Sequence, residues 1–313
     1  MTENEFLLQD RIAKIKAINE QHDLEHNAYI SFSGGKDSTV LHYLIDEALP
    51  NNRIPRVFLN TGIEYKAILK FVREMAEKDD RFVIYNVGKN VLETLRTVGY
   101  PFKSKEHSQK LHEWKQGCRS KFHRKYFRQE ENGFRPCPKV LMYQIKDDFK
   151  LNISHKCCYE FKKKPIVEYQ KQSGRNIPIT GMMREEGGQR TTLNCIVTDS
   201  KSGKVKKFHP MAVLSSDFEN WYIKEKGIKL CELYYPPYNF ERTGCKGNPY
   251  NRYLQKSLDT MERLLPQEKK QCEMIFKPVY AEYRRIGYRL RKEDNQPSLF
   301  ASFIPAVPCW IWR

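Results

Sequence analysis

Ser33, Gly34, Gly35, Lys36, Asp37 and Ser38 stand in one unbroken run, directly behind the apolar stretch Ala28-Tyr-Ile-Ser-Phe. Two adjacent glycines let a chain turn sharply and let its backbone approach a ligand closely. N–H groups at such a turn, and at the start of a helix behind it, point into one space that suits a phosphate. Lys36 adds a point charge, and Ser33 and Ser38 add hydroxyl donors. The run is not a Walker A loop, which needs G-x-x-x-x-G-K-[ST]; here Asp37 follows the lysine.

The elements that must hold this run are legible around it. Residues 28–33 predict a strand. Val40, Leu41, Leu44, Ile45 and Ala48 form one apolar stripe and predict a helix over 38–49. Residues 5–20 predict an earlier helix with Phe6, Ile12, Ile15 and Ala13 or Ala17 toward its buried side. A second strand is expected over 56–62, a helix over 64–78 with Ile68, Phe71, Val72 and Met75, and a third strand over 82–87. This alternation predicts an α/β fold: a parallel sheet with right-handed crossovers, flanked by helices. Ligands of such sheets sit at the carboxyl ends of strands, where both Ser33-Gly34-Gly35 and Asn60-Thr61-Gly62 fall. The pattern resumes at 176–181, and helices are expected at 216–226, 251–264 and 266–285. The expected division is a nucleotide-binding domain over 1–215 and a helical region over 216–313, with an apolar aromatic tail from Ser298 packed on the body.

The chain has 313 residues, enough for a large core, and 40% of them are hydrophobic. Its apolar runs are short of a membrane span, and its acidic start has no signal-peptide core, so a cytoplasmic protein without membrane partners is the expectation. Nine cysteines in such a chain point to metal or redox chemistry rather than disulfides. A net charge of +17 fits an anionic partner: a nucleotide, tRNA or DNA. The basic residues concentrate over 101–135, a helical insertion in which Trp114, Phe122, Tyr126 and Phe127 are interleaved. Such a mixture can hold phosphates and stack bases; aromatics at helical spacing also pack within their own domain.

The glycine-rich run resembles the pyrophosphatase loop (PP-loop) of enzymes that bind ATP or adenylyl sulfates. Further stretches are similar to the phosphoadenosine phosphosulfate (PAPS) reductase family, within the Rossmann-like PP-loop group. Asn60-Thr61-Gly62-Ile63-Glu64-Tyr65 resembles its D-T-G-x-x-[FY] segment, with Asn60 for the usual Asp. Gly181-Met-Met-Arg184-Glu-Glu-Gly187-Gly-Gln-Arg190 resembles its anion-binding arm, with Gly187 for a serine; Arg184 and Arg190 would be the anion clamps. Cys157-Cys158-Tyr-Glu-Phe-Lys162-Lys-Lys164-Pro165-Ile166 and Arg242-Thr-Gly-Cys245-Lys-Gly-Asn248-Pro249 resemble motifs of its iron–sulfur branch. There a Cys-Cys pair and Cys-x-x-Cys supply four thiolates to a [4Fe–4S] cluster. Asn248 replaces the fourth. The alternatives are Cys195 as fourth ligand, a cluster on three protein ligands, or a lost cluster with buried cysteines; zinc is a further option. Cys118, Cys137, Cys231 and Cys272 are assigned to packing.

The resemblance implies sulfonucleotide reduction to sulfite, with a tail cysteine as nucleophile and a thioredoxin-like reductant. The tail cysteine here is Cys309, in Pro-Cys-Trp-Ile-Trp, without the E-C-G-x-H-like surroundings of the family. The competing chemistry uses ATP. The loop would hold pyrophosphate, Lys36 would stabilise charge, and Mg2+ would accompany the nucleotide with Asp37 beside it. A sulfur nucleophile would then displace AMP, as in thiolation of tRNA or phosphorothioation of DNA. A third alternative is a nucleotide-binding protein without turnover.

Overall fold

A computed structural model of the chain describes residues 1–130, 135–187, 190–200 and 202–292. Six strands make one sheet: β1 (Ala28–Phe32), β2 (Arg56–Asn60), β3 (Phe82–Asn86), β4 (Ile177–Ile179), β5 (Ile196–Thr198) and β6 (Val205–Phe208). Their order is β3-β2-β1-β4-β6-β5. All neighbours are parallel except β5 and β6. The helices are α1 (Glu3–His22), α2 (Leu24–Asn27), α3 (Lys36–Ala48), α4 (Lys66–Lys78), α5 (Val91–Val98), α6 (Lys105–Lys115), α7 (Lys121–Tyr126), α8 (Lys164–Ser173), α9 (Ser216–Glu225), α10 (Leu254–Leu264) and α11 (Pro266–Ile286). The α/β sheet flanked by helices is therefore as the alternation predicts.

The chain divides into two compact units. The first joins Met1–Thr94 to Cys158–Lys246; the second joins Leu95–Cys157 to the described residues of 247–292. This differs from a cut near residue 215, because α9 packs on α3 inside the first unit.

In the first unit, alternation along β1 sends successive side chains to opposite faces. Ala28 and Ile30 join a core with Ile15 and Ile18 of α1, the α3 stripe Val40, Leu41, Leu44 and Ile45, and Phe218 and Tyr222 of α9. Tyr29 joins Val57 and Tyr169 on the other face. With both faces covered, the central strands are apolar runs. The face of α1 is Leu8, Arg11, Ile15 and Ile18. Phe6 is 57% exposed, against expectation: two residues before Leu8, it lies about 200° around the helix from that face.

From β1 the chain moves outward to β2 and β3, then returns to β4 on the other side of β1. That reversal makes the crevice between the carboxyl ends of β1 and β4 the topological switch point, the usual ligand position in such sheets. The opposite, amino end of the sheet is closed by a charged network. Arg56, fully buried, donates from Nε to His42 Nδ1 at 3.1 Å and from Nη1 to Asn52 Oδ1 at 2.9 Å, and it pairs with Asp46. Arg81 holds Asp46 at 2.8 Å and Asp79 at 2.7 Å.

The second unit is helical. Trp114, Tyr126 and Phe127 are buried in it. His107 sits between Tyr126 Oη at 3.0 Å and Gln144 Oε1 at 2.8 Å. Phe122 alone of the four interleaved aromatics is exposed, at 79%. Cys137, Cys231 and Cys272 are buried as assigned; Cys118 is exposed. The tail from Ser298, Cys309 included, lies outside the described residues.

Candidate functional site

The loop after β1 is shaped by contacts that only its own residue types can make. Gly34 has φ +70°, and a Cβ there would lie 2.8 Å from Ile68 Cγ2 and 3.0 Å from Val72 Cγ2, both on α4. The turn therefore presses on buried side chains in a left-handed conformation, which glycine alone takes without strain. The Ser33 N–H donates to Ser38 Oγ at 3.1 Å, the Gly35 N–H donates to Ser33 Oγ at 3.3 Å, and Ser38 Oγ donates to the Gly35 carbonyl at 2.9 Å. The two serines thus brace the turn as well as supplying hydroxyls. Gly35 caps α3 without a side-chain hydrogen bond. The N–H groups of the first helical turn, at Asp37 and Ser38 among others, have no carbonyl within their own helix.

Residues from distant parts of the chain gather on this turn. The Lys36 N–H donates to Tyr234 Oη at 2.9 Å, and Tyr234 Oη lies 2.8 Å from Thr243 Oγ1. Lys36 Nζ is 3.0 Å from Glu219 Oε2, on α9. The Glu219 side chain is fully enclosed. Burial, and then the neighbouring charge of Asp37, push its carboxyl up to about 7, with Lys36 opposing them. A Cβ on Gly181 would lie 2.6 Å from the Asp37 carbonyl oxygen, so the stretch after β4 abuts the first turn of α3. Tyr234, Thr243 and Glu219 were not singled out from the sequence as site residues. Glu219 has no local signature among the other acids of its helix, Asp217 and Glu225.

The two arginines of the expected anion-binding arm separate. Arg190 pairs with Glu186, as does Arg242 at 3.2 Å. Burial and Arg242 lower Arg190's affinity for its proton, and Asp37 opposes them, which places Arg190 within the field of the loop. Arg184 is exposed and donates from Nε to the Leu193 carbonyl at 2.7 Å. On β2, the Asn60 amide donates to Asn86 Oδ1 at 2.8 Å across the ladder, a bond an ionised Asp could not donate. Thr61 donates from both N and Oγ1 to the Glu64 carboxylate, at 3.0 and 2.7 Å, and Gly62 has φ +81°.

A second cluster in the first unit joins Glu64, Lys162, Cys158 and Cys245. The Lys162 ammonium is held above its ordinary value, chiefly by Cys245, with burial opposing and Cys158 and Glu64 contributing. Burial raises the Cys245 thiol, and Lys162 opposes that. Lys162 lies in a π-helical turn, Tyr159–Lys163, leading into α8; such insertions re-aim side chains. Cys195 is placed elsewhere: its thiol is 3.8 Å from Arg11 Nη1. Within the first unit Cys158, Cys195 and Cys245 do not form a group of convergent ligand atoms. The unit therefore brings two thiols to one lysine, fewer than the four of a complete cluster motif. Cys157 and Asn248 belong to the second unit. Among the described residues the one convergent group is His42, Asp46 and Asp79, within 4.8 Å. Arg56 and Arg81 already hold those groups, so it is an ion-pair network.

No helix of the structure is long and apolar enough to cross a membrane, among the described residues. A stretch of 73 residues is 38% identical to an uncharacterized protein of Methanocaldococcus jannaschii; it is 23% of this chain and 17% of that protein. The chain thus spans about a sixth of the curated relative it matches. Among solved structures, a phosphoadenylyl-sulfate reductase from Candida auris, in a phosphate complex, is 17% identical with a TM-score of 0.37, over 66% of this chain and 76% of that one. The U34-tRNA thiolase NcsA from Methanococcus maripaludis, with its [4Fe-4S] cluster, is 15% identical with a TM-score of 0.38, over 91% and 80%. The model of the phosphoadenosine phosphosulfate reductase domain matches residues 27–251, from the start of β1's approach to beyond Cys245, and by that match, over well more than half its length, the chain belongs to the phosphoadenosine phosphosulfate reductase domain family.

Proposed function

We propose that the chain binds an adenine nucleotide at the loop Ser33–Ser38 and reduces a sulfonucleotide to sulfite. The observation that carries this reading is the loop itself: Gly34 forced against α4, first-turn N–H groups of α3 and Lys36 all stand at the switch point of the sheet. Thr61, Gly62, Gly181 and Arg190 are the further nucleotide contacts of this reading, and Arg184 is its outermost. The Cys309 thiolate would attack the sulfonate sulfur, forming an S–S bond while the S–O bond to the nucleotide breaks and AMP or adenosine bisphosphate leaves. A thioredoxin-like dithiol would then release sulfite and regenerate the thiol, becoming a disulfide.

The same reading takes Cys158 and Cys245 as ligands of an iron–sulfur cluster. Cys158→Ser and Cys245→Ser are each expected to lose the brown colour and most of the iron of anaerobically purified protein. Full iron content in both variants would rule out this ligand pair.

A second reading is ATP-dependent adenylation, with Mg2+ and sulfur transfer to tRNA or DNA. It is favoured by Phe122, 79% exposed, with Arg119, Lys121 and Arg124 exposed around it in sequence. An exposed aromatic among cations is a stacking platform for single-stranded nucleic acid.

The deciding experiment offers anaerobic protein adenylyl sulfate, PAPS or Mg-ATP, with reductant. Sulfite from either sulfonucleotide supports reduction. Pyrophosphate from ATP, increased by tRNA or DNA, selects the second reading. Tight nucleotide binding with no product identifies a non-catalytic binding protein.

A further inference from the structure

Among the described residues, the cation paired with the fully enclosed Glu219 carboxylate is Lys36 of the loop, at 3.0 Å. The charged groups facing Glu219 are Lys36 and Asp37 from α3 and Glu185 from the turn Arg184–Glu186. Two of these three are acids, so Lys36 alone favours the ionised form. The lysine side chain is itself only 23% exposed and leans toward α9, not into open solvent. A long flexible ammonium can change partners readily, whereas the carboxylate, on a helix packed against α3, cannot follow it.

We propose that Glu219 is a positioning residue of the nucleotide site: it holds the Lys36 ammonium beside the loop in the free protein and gives it up, taking a proton, when an anionic ligand enters. This rests on the reading of Ser33–Ser38 as a nucleotide site. The ligand brings negative charge toward a lysine already paired. Once Lys36 turns to the ligand, Glu219 is left enclosed beside Asp37 and Glu185 without a counter-ion. Burying an uncompensated carboxylate is far more costly than protonating it. Its carboxyl already stands at about 7 with the lysine in place, so the proton is available near neutrality.

The sign follows by linkage. Above about pH 7 the free protein holds Glu219 ionised and the complex holds it protonated, so binding takes up a proton and weakens as pH rises. Well below that pH Glu219 is protonated in both states and the dependence vanishes. Asp37 and Glu185 feel the same ligand, so the contribution of Glu219 is read as a difference between variants.

The test is calorimetry of the full chain in Hepes and in Tris, without metal, using adenosine 5′-phosphosulfate, and ATP at pH 8 where its phosphates are fully ionised. The wild type is expected to take up a large fraction of one proton per ligand at pH 8, and to bind adenosine 5′-phosphosulfate about tenfold more tightly at pH 6 than at pH 8. Glu219→Gln should lose that uptake and flatten the profile to within about twofold, while binding more tightly than wild type at pH 8. Glu219→Asp should keep a pH dependence. A merely structural role would lower affinity at every pH alike. Equal proton uptake in wild type and Glu219→Gln overturns the inference and leaves the nucleotide site standing. Failure of the wild type to bind either ligand overturns the site reading, and this inference with it. If Glu219→Gln does not fold, the carboxyl 13C resonance of Glu219 decides on wild-type protein. At pH 8 it should move from its ionised to its protonated position on ligand addition, and an unmoved resonance overturns the inference.

Discussion

Arg56→Ala is expected to destabilise the first unit by about 3–5 kcal/mol, the usual cost of removing one partner of a buried ionic network. The side chain is fully buried and ties four groups together: His42, Asn52, Asp46 and the Ile54 carbonyl. Alanine leaves those acceptors facing a cavity, and Asp46 keeps Arg81, Asn52 and, at 3.7 Å, His42. At about 2–4 °C per kcal/mol for a unit of this size, the melting midpoint should fall by about 10 °C. The control is Arg53→Ala. Its partner Asp80 and Arg53 itself are 72% and 65% exposed, and that change should leave the midpoint where it is. The pH dependence adds a second signature. Burial, and then Arg56, pull His42 down to about 4, below its ordinary 6.5. A histidine depressed in the folded state makes stability rise with pH between those values, so stability is lost as pH falls from about 6.5 toward 4. Without Arg56 the imidazole protonates more readily in the folded state, so the acid limb still begins near 6.5 but should level off at higher pH and be smaller. A midpoint within a degree of wild type would mean that the network is not what closes this end of the sheet.

Neither Arg56 nor its network was foreseeable, although the strand that carries Arg56 was. The strand shows itself by local residue type: Val57, Phe58 and Leu59 between a turn and a Thr-Gly step. The network depends on the parallel register that sets Arg56 beside Ile30 and Phe82, and on α3 bringing His42 and Asp46 over it. The same division runs through the candidate site. The loop is legible because its whole chemistry is consecutive in sequence. Glu219 and Tyr234 reach it across about 180 and 200 residues, and no periodicity or composition marks them. The short strands β5 and β6 were missed for a related reason: three and four residues are too few to show a period of two above the noise of a polar stretch. Helix α8 was hidden inside a motif read for its cysteines and lysines. The paired role of Arg184 and Arg190 came from resemblance, and the two differ once placed. One donates to a backbone carbonyl at the surface; the other stands in the field of Asp37.

Because the loop is consecutive, it can be dissected by changes of different kind. Lys36→Ala removes charge and leaves the backbone; Gly34→Ala and Gly181→Ala leave charge and move the backbone. For Lys36→Ala, one charge-assisted contact to a phosphate is lost, worth about 1.5–3 kcal/mol, so nucleotide affinity should fall by about 10- to 100-fold. The same change removes the cation of Glu219, which then holds its proton to higher pH, so folding should be little affected below about pH 7 and weakened above it. For Gly34→Ala, the new Cβ would stand 2.8 Å from Ile68 Cγ2 in a left-handed backbone. Strain of about 1–2 kcal/mol for that conformation adds to the overlap, and both side chains it meets are fully buried on α4. The turn must open, and the first-turn N–H groups of α3 are displaced with it. Gly181→Ala would meet the Asp37 carbonyl at 2.6 Å and displace the first turn of α3 from the other side. Both alanine variants are therefore expected to lose nucleotide binding more completely than Lys36→Ala, despite keeping every charged group. The order matters more than the individual values. If the site worked by charge alone, the lysine change would be the most severe and the glycine changes mild. If the site is a cradle of backbone donors with a lysine beside it, the glycines dominate. Isothermal titration with one nucleotide across the three variants, each checked for an unchanged far-ultraviolet spectrum, separates the two. Unchanged affinity in all three would remove the loop from the site altogether.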